Sequence, residues 1–205
     1  MSVEVSPIYL LDAAGAAVEA ELRDAIEDAQ IADWQLLWQP ELTRFLKALH
    51  ASGVPPQRWP QGWHWDWRRK VAGVQGLLAY RGFSVMAAGE TQGLAQVSLN
   101  RSAREAGQAG KPIVYIDYLE AAPWNRSDLC TERRFAGVGT ALVTAAVALS
   151  EEEGFKGRMG LHSLPQADAF YRERCGMHDL GPDASYPGGL RYFEMTPDQA
   201  SRLLG

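Results

Sequence analysis

A chain of 205 residues, 46% apolar and 22% charged, is long enough to bury one sizeable core and has no compositional sign of disorder. Its net charge of −5 argues against a general nucleic-acid binder, which would cluster Lys and Arg, and suits a cationic amine as partner. Cys130 and Cys175 are far apart, His50, His64, His162 and His178 are scattered, and no apolar run approaches membrane-spanning length, so a reduced, cytoplasmic protein with no metal and no membrane association is expected.

Residues 6–11 (Ser-Pro-Ile-Tyr-Leu-Leu) predict a first strand. Val18, Leu22 and Ile26, four residues apart with acidic residues between, predict an amphipathic helix over 18–30. Asp33 predicts the N-cap of a second helix with Trp34, Leu37, Trp38, Leu42, Phe45, Leu46 and Leu49 on its apolar side, kinked or split at Pro40. Residues 51–67 form a Pro/Gly-rich loop with Trp59, Trp63, Trp65 and Trp67 within nine residues. Such a loop either staples itself onto the core or walls an acceptor site, packing a cation against an indole. A helix over 68–80, ended by Gly82, is expected next. Residues 83–88 and 94–99 read as an antiparallel hairpin about a turn at 89–93. Residues 101–111 read as a loop, and Ile113 to Glu120 as a buried strand closed by Ala121-Ala122-Pro123.

Arg133-Arg134-Phe135-Ala136-Gly137-Val138-Gly139-Thr140 then runs without a break into an apolar helical stretch ending at Gly154. Glycines two residues apart at a helix start leave several backbone N–H groups converging at the positive end of the helix dipole, a seat for a phosphate-type anion, with Arg133 and Arg134 adding charge. The same pattern also suits a tight turn with close packing. No Gly-Lys-Ser/Thr follows, so this is not a kinase-type phosphate loop. A short strand over 158–163 and a second helix over 165–175, containing Ala169-Phe170-Tyr171, complete the order.

Strand, Arg-x-x-Gly-x-Gly, helix, strand, and a helix with an Ala-Phe-Tyr-Arg-x-x-x-Gly-Met ending resembles the acetyl-CoA-binding half of the GNAT superfamily of N-acetyltransferases, over roughly residues 83–195. The resemblance implies a single α+β domain, with a mixed, mostly antiparallel sheet flanked by helices. Residues 1–82 would form its acceptor-side, Trp-rich part and residues 83–205 its acetyl-CoA-binding core. It implies acetyl-CoA as cosubstrate and a small-molecule or peptide amine as acceptor, and it allows a homodimer.

For the donor, the resemblance implies that the pyrophosphate binds the backbone N–H groups from Arg134 through Phe135, Ala136, Gly137, Val138 and Gly139 to Thr140, helped by Arg133 or Arg134. It also implies that pantetheine lies along a splayed strand edge at Leu119 to Ala121. Tyr171 falls at the family's usual general acid, and a phenol with its ordinary pKa of roughly 10 is protonated at pH 7. For the base, the residues leave Asp117, Glu120, His162 and water open. Strand alternation places Asp117 on the face of Leu119 and Ala121, and Glu120 on the other. A carboxylate in an apolar strand is costly unless paired, so Asp117 is either catalytic or salt-bridged to a nearby arginine. Residues 124–132 lengthen the usual connection into a candidate loop over the phosphates and leave open whether Arg126 contacts them, while Glu151-Glu152-Glu153 reads as a solvated face. A longer acyl donor is a rival within the enzyme class, and a GNAT-fold acetyl-CoA sensor without turnover is the rival outside it.

Overall fold

The computed structural model describes residues 3–205. One continuous sheet carries the chain among these residues: β1 (Val5–Asp12), β2 (Ala17–Arg23), β3 (Tyr80–Ala87), β4 (Glu90–Ser102), β5 (Pro112–Ala121), β6 (Phe135–Ala136), β7 (Met159–Ser163), β8 (His178–Pro182) and β9 (Arg191–Met195), in the spatial order β6-β1-β2-β3-β4-β5-β7-β9-β8. Every pairing is antiparallel except β5 with β7, whose direction is set by the crossover helix α4 (Val138–Glu152). The architecture is the mixed, mostly antiparallel α+β sheet expected.

Helices cover both faces. Helix α4 lays Leu142, Val143, Ala146 and Val147 on the larger core, against Val85, Ala95, Val114, Ile116 and Phe193. On the opposite face, α1 (Asp28–Asp33), the turn Trp34–Trp38 that joins it to α2 (Gln39–Ala51), and α3 (Trp67–Val74) bury Ile31, Trp34, Trp38 and Trp67 with Leu94 and Ala122. The C-terminal helix α5 (Pro197–Leu204) packs on α4. No helix among the described residues is long and apolar enough to cross a membrane.

Several local expectations are overturned. Residues 17–23 are a strand: Val18, Ala20 and Leu22 are two apart as well as four apart, with Glu19 and Glu21 between them, and pairing with β1 and β3 decides in favour of the period of two. Asp33 ends α1 instead of capping a new helix, and its carboxylate accepts from Thr91 N (2.8 Å) and Thr91 Oγ1 (2.7 Å). The chain continues through a π-helical turn, Trp34–Trp38, and Gln39 N–H reaches back five residues to Trp34 O. Pro40 follows directly after this turn within the same continuous helical run, where the change of hydrogen-bond period absorbs its missing N–H. Helix α3 stops at Val74, and Tyr80 and Gly82 belong to β3. The hairpin turn shrinks to Ala88 and Gly89, both at positive φ (52° and 77°), a primed two-residue turn that leaves Thr91 to Gly93 inside β4. Residues 101–102, expected in a loop, also close β4.

Candidate active site

The parallel ladder between β5 and β7 runs from Val114/Met159 to Ile116/Leu161 and no further. At that point Asp117 is the bulged residue of β5, skipped where Ile116 pairs with Val97 and Tyr118 with Gln96. Beyond it the strands part, so the β7-facing edge of Asp117 to Ala121 is unpaired and opens on two adjoining cavities.

The first, about 730 Å³, is lined by Leu119, Glu120 and Ala121, by Arg133, by Phe135 through Thr140, and by Phe170 and Tyr171. It thus gathers the predicted donor-side residues except Arg134. Gly137, at φ 100°, is the N-cap of α4, and no side chain caps the helix. The first N–H taken up inside the helix is that of Ala141, donated to Gly137 O at 2.9 Å, so the turn before it keeps its amides for a ligand. The predicted run of free amides is shorter than expected. Arg134 N–H donates to Trp124 O (3.0 Å) and Phe135 N–H to Asn125 Oδ1 (2.8 Å), which fixes the turn. The Arg134 guanidinium also leaves the cavity, pairing with Glu90 (2.7 Å) and covering the Trp124 ring at 4.5 Å. Arg133 lines the cavity and has no ion-pair partner among the described residues. Arg126 lines it too, but pairs with Asp128 (2.7 Å) and Glu120 (3.4 Å).

Two buried amides hold this turn that the sequence did not single out. Gln92 Oε1 accepts from Trp124 Nε1 (2.8 Å) and Asn125 Nδ2 (2.9 Å), and Asn125 in turn holds Phe135. The sequence places Gln92 in the hairpin turn and so carries no signal for it; only its position inside β4 makes it a buried amide.

The second cavity, about 420 Å³, shares Tyr171, Leu119, Leu164 and Trp65 with the first and adds Asp117, Trp59, Trp63 and Tyr186. Tyr171 therefore stands at the junction of the two. It sits in a π-helical turn, Phe170–Arg174, a widening common at functional sites, so the expected helix over 165–175 is irregular. Burial pushes its phenol well above the ordinary value, with a smaller contribution from the neighbouring Cys175 thiol.

The three base candidates are held differently. Glu120 is buried, accepts from Trp67 Nε1 (2.6 Å) and faces Arg126. Burial raises its pKa, opposed by Arg126 and the Trp67 hydrogen bond. His162 is committed at both ring nitrogens, Nδ1 to Tyr115 Oη (2.6 Å) and Nε2 to Asp183 Oδ2 (2.9 Å), and it stacks on Tyr186 at 3.7 Å. Burial lowers its pKa, with Asp183 opposing. Asp117 has no ion pair among the described residues, and its buried Oδ2 has no hydrogen-bond partner. Burial pushes Asp117 up to about 6, opposed by the Ser98 hydroxyl, which lies near without forming a well-aligned hydrogen bond, and by Arg101 and Lys70.

The tryptophan loop divides its indoles. Trp67 is fully buried in the smaller core, whereas Trp59, Trp63 and Trp65 line the second cavity. Gln166 Nε2 donates to Gln61 O (2.9 Å), tying the loop to the turn that precedes Tyr171. The cation on an indole is the chain's own: Lys70 Nζ lies 4.7 Å from the Trp65 ring centre and 3.0 Å from that of Tyr118. Burial lowers Lys70 to about 8, opposed by Glu120, Asp66 and Asp117.

No family model matches the sequence, and no curated protein matches it significantly. Solved structures do match the fold. The GNAT domain of PAT from S. lividans superposes with a TM-score of 0.52 at 16% identity, over 93% of this chain and 96% of that domain. RimJ of Mycobacterium smegmatis, in complex with CoA-disulfide, gives 0.51 at 16% identity over 98% and 93%. The aminoglycoside acetyltransferase AAC(6')-Ib, in complex with coenzyme A and kanamycin, gives 0.50 at 18% identity over 100% of both chains. Together with the splayed parallel pair and the glycine turn, these likenesses establish the fold: the chain has the fold of the GNAT acetyltransferases.

Proposed function

We propose that the protein is an acyl-CoA-dependent N-acyltransferase that moves acetyl from acetyl-CoA to an amine. The observation that carries this reading is the continuity of one cleft from the uncapped start of α4, past the unpaired edge of β5, to Tyr171 and the Asp117 cavity. The chain's groups fit the donor: an uncapped helix start and an unpaired arginine suit a pyrophosphate, and a free strand edge suits an amide-bearing arm. Val138, Gly139, Thr140 and Arg133 would hold the phosphates, and the backbone at Leu119 to Ala121 the pantetheine. Bound there, the coenzyme supplies an activated acetyl thioester.

The chain's own residues divide the proton work. An alkylammonium has a pKa of roughly 10.4, so freeing its lone pair at pH 7 costs about 4–5 kcal/mol, and a carboxylate must offset part of this. Asp117, unpaired and raised to about 6, is ionised at pH 7 and placed to take the proton that the amine nitrogen sheds as its bond to the acetyl carbon forms. Tyr171, kept protonated by burial, holds its proton for a thiolate leaving group. Glu120 is a positioning residue, anchoring Trp67 and Arg126 at the cleft wall. The test is thiol release from acetyl-CoA across an amine panel, with acetylated product identified by mass. Tight acetyl-CoA binding without thiol release for any amine would favour the sensor reading.

A further inference from the structure

We infer that the acceptor is a monocationic amine with a flat aromatic body, an arylalkylamine, held by its ammonium at Asp117 and by its ring among the indoles of the second cavity. This deepens the acyltransferase reading and rests on it.

The charge inventory of the cavity limits the ligand's charge. Asp117 is the one carboxylate lining it, no lysine or arginine lines it, and its other titratable liners besides tyrosines are His64 and His162. The positive groups nearest Asp117 come from other elements and are already engaged. Lys70 of α3 lies over the rings of Trp65 (4.7 Å) and Tyr118 (3.0 Å), and Arg101 of β4 lies 5.2 Å from the centre of the Tyr115 ring. His162 is held between Tyr115 and Asp183. A single unsatisfied carboxylate in a partly buried site attracts one ammonium. A polycation would leave its remaining charges desolvated against indoles, at a large cost. The kanamycin carried by the structurally similar aminoglycoside acetyltransferase is thus the wrong kind of acceptor for this cavity.

The walls limit the body of the ligand. Trp59 and Trp63 meet edge to face at 5.3 Å, Trp65 meets Tyr118 at 5.2 Å, and Tyr186 is stacked on His162. These rings offer both faces and edges to an incoming ring, the geometry in which aromatic pairs gain beyond simple burial. A volume of about 420 Å³ admits a one- or two-ring amine. Tyr171 lines the same space, which brings the acceptor's amine to the donor junction.

The experiment pairs turnover with direct binding. With acetyl-CoA saturating, 2-phenylethylamine and tryptamine are compared with butylamine, spermidine and kanamycin. The arylalkylamines are expected to exceed butylamine in kcat/KM by about tenfold or more, and the polycations by about a hundredfold. Independently of turnover, 2-phenylethylamine is titrated against the indole fluorescence with and without CoA; saturable quenching is expected, weakened about tenfold or more in Asp117→Asn. Preference for butylamine or a polycation, or absence of saturable quenching by 2-phenylethylamine, would overturn the inference while leaving acetyl-CoA binding and the acyltransferase reading intact. Failure to bind acetyl-CoA would instead strike the acyltransferase reading, and the fluorescence titration would still decide the ligand class.

Discussion

Gly93 of β4 and Val138, the first residue of α4, approach so closely that a β-carbon on Gly93 would lie 2.4 Å from Val138 Cγ1 and 3.0 Å from Leu142 Cδ1. The contact sets the height of the helix start above the sheet, and therefore where its free amides point. Gly93→Ala is expected to lower stability by about 1–3 kcal/mol, as overpacking does, and to weaken acetyl-CoA binding at the same time. Urea unfolding together with calorimetric titration checks both; full stability and full affinity would mean that the contact relaxes freely.

The two adjacent arginines are expected to differ. Arg133→Ala should weaken acetyl-CoA binding about tenfold, because its charge lines the phosphate end of the cleft without a competing partner. Arg134→Ala should change affinity by less than about threefold, since that side chain is spent on Glu90 and Trp124, a half-exposed pair of small energetic value. The reverse order would displace the phosphates from the α4 turn.

Tyr171→Phe removes one hydroxyl from an otherwise unchanged aromatic core position. Turnover should fall by about one to two orders of magnitude, with acetyl-CoA affinity nearly unchanged. Turnover equal to that of the unmodified protein would take the phenol out of the reaction.

Asp117 predicts a pH dependence of definite sign. A base must be ionised, so kcat/KM should rise with pH through about 6, and Asp117→Asn should abolish both this limb and most of the activity. The same group sets a stability trend in the opposite direction. Its folded pKa lies above its usual value of 3.8, so the stability it contributes is fully present below pH 3.8 and is lost as pH rises through about 6. The stability of Asp117→Asn relative to the unmodified protein should therefore rise as pH increases between those values and stay higher above about 6, by at most about 3 kcal/mol. Chemical unfolding at several pH values measures the difference.

His162 has the other sign. Burial holds its folded pKa below the ordinary 6.5, so the neutral ring contributes stability present above that pH and lost as pH falls through the lower folded value. His162→Gln should reduce the acid sensitivity of unfolding in this window. Its effect on kcat should be smaller than that of Asp117→Asn if the ring is held structurally by Tyr115 and Asp183.

Much of this organisation was legible from local chemistry. The order of strand, glycine turn, helix and strand is written in residues 113–163, because each element carries its own period and punctuation. The strand over 17–23 was misread because residues four apart are in phase in both a helix and a strand, and only pairing with β1 and β3 distinguishes the two. The bulge at Asp117 was invisible because it arises from the register between β4 and β5, a relation between strands about twenty residues apart in sequence, not from any residue in either. The diversion of Arg134 to Glu90 and the hold of Gln92 on Asn125 likewise depend on the hairpin meeting the loop after β5.

The central claim is that the start of α4 is a phosphate anchor leading to a splayed strand edge. Calorimetric titration with CoA, dephospho-CoA and pantetheine tests it most directly. Binding of CoA at about micromolar Kd, weakened stepwise as phosphates are removed, is the predicted result. Equal affinity for CoA and pantetheine, or no binding of either, would contradict it.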